Sequence, residues 1–207
     1  YIDIKDAKIY YEEYGQGEPL LFLHGNNGSS EDFYQQIPFL AKHYRVIILD
    51  TRGQGRSTDL TKTPYTYEIF ANDLFQVIQK LNLKKVNLIG WSDGGNTALI
   101  FNAQHPEFIN KVVTIGAVLN PSGVKDELLE NFKNLINQPS ENNNSRLIEL
   151  MLNEPNITKS ELNKIQNQVL VIAGENDVVK ESHTKEIQQN ISNAKLLIIP
   201  NSTHYVP

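Results

Sequence analysis

Cysteine is absent from this chain of 207 residues, and methionine and tryptophan occur once each. The first absence excludes disulfides, thiolate metal sites and a cysteine nucleophile. No apolar run approaches the roughly 20 residues that cross a bilayer, so no membrane span is expected. Blocks of basic residues are also missing and the formal net charge is −5, which argues against nucleic acid and anionic membrane surfaces as partners. The opening YIDIKDAKIYY alternates and carries charge where a secretory leader has an apolar core, so the expected location is cytoplasmic. What the chain does have is 40% hydrophobic residues, enough for the core of one domain with a modest insertion.

Those residues gather in runs of strand length. PLLFLHG (19–25), VIILD (46–50), VNLIG (86–90), VVTIG (112–116), VLVIAG (169–174) and LLIIP (196–200) are nearly unbroken, as in strands buried on both faces of a parallel sheet. YIDIK and KIYYEEY (8–14) alternate instead, which predicts an antiparallel edge hairpin. Helical stretches separate the runs. Ser29 to Asp32 offers a capping box before FYQQIPFLAK, where Pro38 limits or kinks the helix. Residues 68–81 space Ile69, Leu74, Val77, Ile78 and Leu81 along one face, and the helix of GNTALIFNAQ should end before Pro106. The alternation predicts an α/β domain. It fails between 119 and 167, where short helical stretches flank the polar break QPSENNNS (138–145). The expected organisation is therefore a core of residues 1–118 and 168–207 carrying a small helical cap, with the polar break as its mobile loop.

The sequence NLIGWSDGGNTALI (87–100) crowds glycine where a strand becomes a helix, although each glycine costs about 1 kcal/mol of helix propensity. Gly90-Trp91-Ser92-Asp93-Gly94 matches G-x-S-x-G in the context that motif requires, a buried strand before and a helix after. A serine on so sharp a turn projects its Oγ away from the sheet, and glycine two residues to either side removes a side-chain clash. The helix N-terminus behind it favours developing negative charge.

A serine nucleophile needs a base and an acid to orient the base. Of five histidines, His204 alone follows a late buried strand downstream of the serine. His183 falls in a surface helix, and His105 at a helix end. The acid should follow the preceding strand, where VLVIAGENDVV offers Asp177 and, as a fallback, Glu175. Asp177 is preferred because its spacing carries it past the strand end. The chain order Ser92, Asp177, His204 is that of the hydrolase fold. Oxyanion donors are expected from the backbone N–H of Asp93 and from that of Asn26, in the loop after the third strand. His24 is read as shaping that loop. Trp91, Asp93 and Asn27 are candidate substrate contacts.

Taken together, HGNNG, DTRGQGRS (50–57), GWSDGG and GENDVV with the C-terminal histidine resemble, in this order, the motifs of the α/β-hydrolase family over nearly the whole chain. That resemblance implies a mostly parallel central sheet flanked by helices, with a short helical lid. It implies structural roles for Asp50 and Arg52. GWSDGG further resembles the elbow of the biphenyl-hydrolase-like (valacyclovir hydrolase) group, in which the acidic residue after the nucleophile meets the α-amino group of amino-acid esters. Asp93 would take that part here; the alternative is that it caps the helix behind the elbow.

The leading expectation is a serine hydrolase that cleaves a small carboxylic ester, amide or thioester through an acyl-enzyme, without metal or organic cofactor. Its partner would be a small molecule. The competing expectations are a hydrolase-fold receptor that keeps its triad, and a cofactor-free perhydrolase or lyase. The sequence assigns no oligomeric state.

Overall fold

The alternating N-terminal segment divides between two sheets. A computed structural model describes residues 1–137 and 144–205. In it β1 (Ile2–Ile4) and β2 (Ala7–Ile9) form an antiparallel pair, and the chain then continues as β3 (Tyr11–Tyr14). KIYYEEY is therefore not one strand. It breaks at Tyr10, whose N–H donates to Ser57 Oγ at 2.8 Å and whose carbonyl accepts from Asp50 N at 3.0 Å. Beyond the break, β3 joins the main sheet as its antiparallel edge.

That sheet holds β4 (Glu18–Leu23), β5 (Tyr44–Leu49), β7 (Val86–Trp91), β8 (Ile109–Ile115), β9 (Gln168–Gly174) and β10 (Ala194–Ile199), while the short β6 (Thr58–Asp59) pairs with β2. The order is β10-β9-β8-β7-β4-β5-β3, with every neighbour parallel except β3 against β5. Five of the unbroken apolar runs thus occupy the interior of the sheet, as expected, whereas LLIIP forms β10 at its edge, where Leu197 is exposed. One face packs Leu21, Ile47, Leu88 and Val171 under α2 (Tyr67–Lys80) and α3 (Asp93–Gln104). The other packs Phe22, Ile48, Trp91 and Ile115 with Phe33 and, at its margin, α1 (Ile37–Leu40). The capping box forms between Ser29 and Asp32 but caps a single turn, and Pro38 sits in the first turn of α1 without kinking a longer helix.

The order also positions the site. From β4 the chain steps one way to β5 and then crosses back to β7 on β4's other side. The loops leaving β4 and β7 therefore diverge, and open sheets leave their ligand crevice at such a switch point. Ser92 stands there.

Residues 119–167 supply α4 (Asp126–Ile136), α5 (Ser145–Asn153) and α6 (Lys159–Leu162). They do not all stand apart from the core. Leu119, Leu147, Leu150, Ile157, Leu162 and Ile165 are buried in its main cluster, whereas α4 has no fully buried residue. Residues 138–143 of the polar break, and with them its expected mobility, lie outside the described residues. Helix α7 (Glu181–Gln189) links β9 to β10.

The loop 50–57 is a structural knot. Arg52 donates Nε and Nη2 to the two Asp73 oxygens at 2.7 Å each, Nη1 to Asp59 at 3.1 Å, and two more N–H groups to the carbonyls of Lys5 and Asp6. Asp50 accepts from the N–H of Ser30 and of Arg56, both at 2.7 Å. Arg52 and Asp73 are almost fully buried, so removing Asp73 leaves two guanidinium N–H donors unpaired and Asp59 alone as the counter-charge. Asp73→Ala should cost about 3–5 kcal/mol in urea unfolding; a loss below about 1 kcal/mol would show that the pair is dispensable.

Candidate active site

Ser92 has φ 54° and ψ −116°, a left-handed backbone that a non-glycine residue adopts at a cost of order 1–3 kcal/mol. The turn survives because its surroundings admit nothing else. A Cβ on Gly90 would overlap the Gly94 carbonyl, and one on Gly94 would overlap that of Leu23. Ser92 N donates to Ile115 O at 2.7 Å, fixing the elbow to β8, and Asn96 N donates to Ser92 O at 3.1 Å as α3 begins.

The sequence-selected residues converge on this turn. Ser92 Oγ donates to His204 Nε2 at 3.0 Å, and His204 Nδ1 donates to Asp177 Oδ1 at 2.7 Å. A carboxylate only accepts, which assigns the proton to Nδ1 and leaves Nε2 as the acceptor facing the serine. Asp177 is 3% exposed. Burial alone would raise its carboxyl, but hydrogen bonds from His204, Val179 N and Gly174 N, with the field of His204, hold it below the ordinary value. Glu175 is exposed and accepts from Asn201 N instead. The loop carrying His204 is braced twice. Trp91 Nε1 donates to the His204 carbonyl at 2.9 Å, and Asn176 N donates to Ser202 O at 2.8 Å.

Gly25, Asn26, Ser92, Asp93 and His204 open on one cavity of about 290 Å³. The N–H groups of Asn26 and Asp93 bond no backbone carbonyl among the described residues. The remaining walls are mainly apolar, with Val118, Leu128, Phe132, Met151 and Val179 among them, and no lysine or arginine among the described residues lines them. Trp91 also faces the cavity. Asn27 does not: it is exposed, and its N–H is turned to Gln54 Oε1 at 2.6 Å.

Asp93 is 3% exposed, and burial pushes its carboxyl above the usual range against hydrogen bonds from Tyr67 and Asn26. Tyr67 Oη donates to Oδ1 at 2.7 Å and Asn26 Nδ2 to Oδ2 at 2.9 Å. No side-chain capping bond among the described residues reaches the first turn of α3. Tyr67 had no signal in the sequence, because nothing local ties position 67 to position 93. His24 is buried and held neutral; Thr51 N donates to its Nε2 at 2.8 Å, so Nδ1 donates to Gly25 O at 2.7 Å. It shapes the loop. His105 stacks on Phe75, and His183 packs against Gly123. Among the described residues no cluster could hold a metal ion, and no helix is long and apolar enough to cross a membrane.

A family model described as the alpha/beta hydrolase fold matches residues 18–149. The chain belongs to the α/β-hydrolase family, whose fold it displays. Serine hydrolase BPHL of Homo sapiens is 29% identical, with 98% of this chain and 79% of that protein covered. A non-heme haloperoxidase of Rhodococcus erythropolis is 34% identical over 63% of this chain and 51% of its own length. Among solved structures, Est816, an N-acyl homoserine lactone degrading enzyme, superposes with a TM-score of 0.80 at 27% identity, covering 99% of this chain and 93% of that one. The family match and the similarity to serine hydrolase BPHL identify the chain as an α/β-hydrolase enzyme.

One position missed from sequence controls the histidine. Gly116 has φ +61°, and a Cβ there would stand 2.6 Å from His204 Cε1 and 2.8 Å from Nδ1. Gly116→Ala should therefore displace the imidazole while Ser92 stays in place. If His204 serves as the base, turnover of an ester should fall by about 10²-fold, the scale of a ~1 Å misplacement. A Gly116→Ala variant with wild-type kcat would show that the ring has room.

Proposed function

We propose that the chain is a serine hydrolase of small carboxylic esters, acting through an acyl-enzyme on Ser92, His204 and Asp177. The observation that carries the reading is the continuous relay from Asp177 through His204 to Ser92 Oγ, opening on the same cavity as two N–H groups without backbone partners among the described residues. Ser92 Oγ adds to the acyl carbonyl as its proton passes to His204 Nε2. The resulting oxyanion accepts from the N–H groups of Asn26 and Asp93. Collapse breaks the C–O bond, and the leaving alcohol takes the proton from His204. Water enters, gives its proton to His204 and attacks the acyl-enzyme; the acid departs and Ser92 regains the proton. Asp177 holds the imidazole in the required tautomer and stabilises the imidazolium.

The walls indicate the acyl group. With apolar side chains around it and no cationic residue among the described ones to meet a second carboxylate, the cavity suits an uncharged apolar acyl chain, and its 290 Å³ is at the small end of ligand pockets. Helix α4 acts as its lid, and α5 completes the wall with Met151. The haloperoxidase relative supports a second reading, in which hydrogen peroxide replaces water in the deacylation step.

A series of p-nitrophenyl esters of rising acyl length tests this. Turnover should peak at short to medium chains and fall once the acyl group outgrows the cavity. Ser92→Ala should lose at least about 10⁴-fold in kcat with an unaltered melting temperature, and adding His204→Ala should cost little more, because the residues act as a unit. Wild-type turnover in Ser92→Ala would overturn the assignment, and faster acyl transfer to peroxide than to water would favour the second reading.

A further inference from the structure

The Asp93 side chain does not cap the helix behind it, and although the residue lines the cavity both its oxygens are already bonded. Its oxygens are taken by two donors from distant elements, Tyr67 at the start of α2 and Asn26 in the loop after β4. The Asn26 amide spends its second hydrogen on Leu147 O of α5, at 3.3 Å. Both partners of that nitrogen, a carboxylate and a carbonyl, can only accept, so the amide orientation is fixed by its surroundings. The same residue presents the backbone N–H that the hydrolase reading assigns to the oxyanion. We infer that the Asp93 side chain is a positioning residue, clamping Asn26 between α2 and α5 so that the oxyanion donor is preset.

The inference rests on the hydrolase reading and deepens it. Asn26 is followed by Asn27 at φ 55° and by the tight turn from Gly25 O to Gly28 N. This short irregular loop has no strand ladder to hold it, so its side-chain bonds must fix where the N–H points. An oxyanion donor is effective only at about 2.7–3.1 Å from the developing charge. Two neutral donors on a buried carboxylate supply that rigidity from the elbow itself, which couples the N–H of Asn26 to the N–H of Asp93.

The chemistry of the clamp distinguishes it from charge recognition. Asparagine at position 93 can still accept from Asn26 Nδ2, while its own amide donates to Tyr67 Oη, a hydroxyl able to accept. Alanine can do neither. The rate of Ser92 phosphonylation by a fluorophosphonate, followed by intact mass, reads the oxyanion site without requiring turnover. It should be paired with kcat and KM on one aminoacyl and one acyl p-nitrophenyl ester.

Asp93→Ala is expected to slow phosphonylation and to lower kcat by about 10- to 100-fold for both esters, with little change in KM. Asn26→Ala, which keeps the backbone donor, should match it, and the double variant should be no slower than either single one because one clamp has been removed twice. Asp93→Asn should restore most of the lost rate for both esters. Additive losses, or a rate lost in proportion to melting temperature alone, would overturn the clamp. So would an Asp93→Asn variant that loses rate only on the aminoacyl ester, since that result assigns the charge to substrate. A wild-type chain neither labelled nor active on esters overturns the hydrolase reading, and the clamp with it. Normal wild-type labelling with full-rate alanine variants overturns the clamp alone.

Discussion

The close approach of three backbone segments at the elbow is the constraint on which the rest of the structure depends. Ser92 can hold φ 54° because Gly90 and Gly94 let the strand end, the helix start and the Leu23 carbonyl of β4 come together without side chains between them. Strain at one residue persists only where the surroundings over-determine it. Here the determinants are a bond from Ser92 N to β8, the first turn of α3, and β4 pressed against that turn. The strain thus rests on the central strands of the sheet, the part least able to yield.

The same economy of backbone approach places the other groups. Gly174 lies so close to Ser202 and Thr203 that a Cβ would overlap their carbonyls, which brings the end of β9 against the loop bearing His204. Asp177 then reaches the imidazole from a loop whose own N–H groups, those of Gly174 and Val179, hold its carboxylate. Distances of 2.7 and 3.0 Å along the relay follow from where strands end more than from any adaptation of the side chains. Trp91 contributes twice, filling the sheet face with Ile115 and bracing the His204 carbonyl with its indole N–H.

This explains what could be read from the sequence. Apolar runs with abrupt ends mark buried parallel strands, so the meeting of Ser92, Asp177 and His204 was legible from the G-x-S-x-G motif and from positions just past strand ends. Capping chemistry was legible too, since Ser29 and Asp32 form their box through local bonds. Three things were not. The split of KIYYEEY depends on Ser57 claiming the Tyr10 N–H from 47 residues away. Tyr67, Asn26 and Asp93 meet only because α2 and β4 both pack against α3, and no local pattern records that. Residues 119–167 read as a small helical cap because the strand–helix alternation stops there, which does not record that Leu147, Leu150, Leu162 and Ile165 pack into the main core. Periodicity reports an element's own face, not the partner that covers it.

The two helices beside the cavity consequently differ in how firmly they are held. Helix α5 buries Leu147 and Leu150 and is latched at its start by Arg146, which pairs with Asp59 at 2.7 Å, bonds the Thr61 and Thr63 carbonyls and stacks 3.7 Å over Tyr65. Helix α4 buries no residue completely; Leu128 and Leu129 rest on a small cluster of Val118, Val124 and Val179. Local opening draws on regions with few buried contacts. Displacing α4 would uncover Leu128 and Phe132 at the cavity wall, part its packing on α5 and break the Lys180–Asp126 pair, whereas displacing α5 would uncover core leucines and strip Leu147 O from Asn26. Helix α4 thus bears on the cavity wall through partly buried side chains, whereas α5 is anchored in the core and also bears on the loop after β4 through Leu147 O.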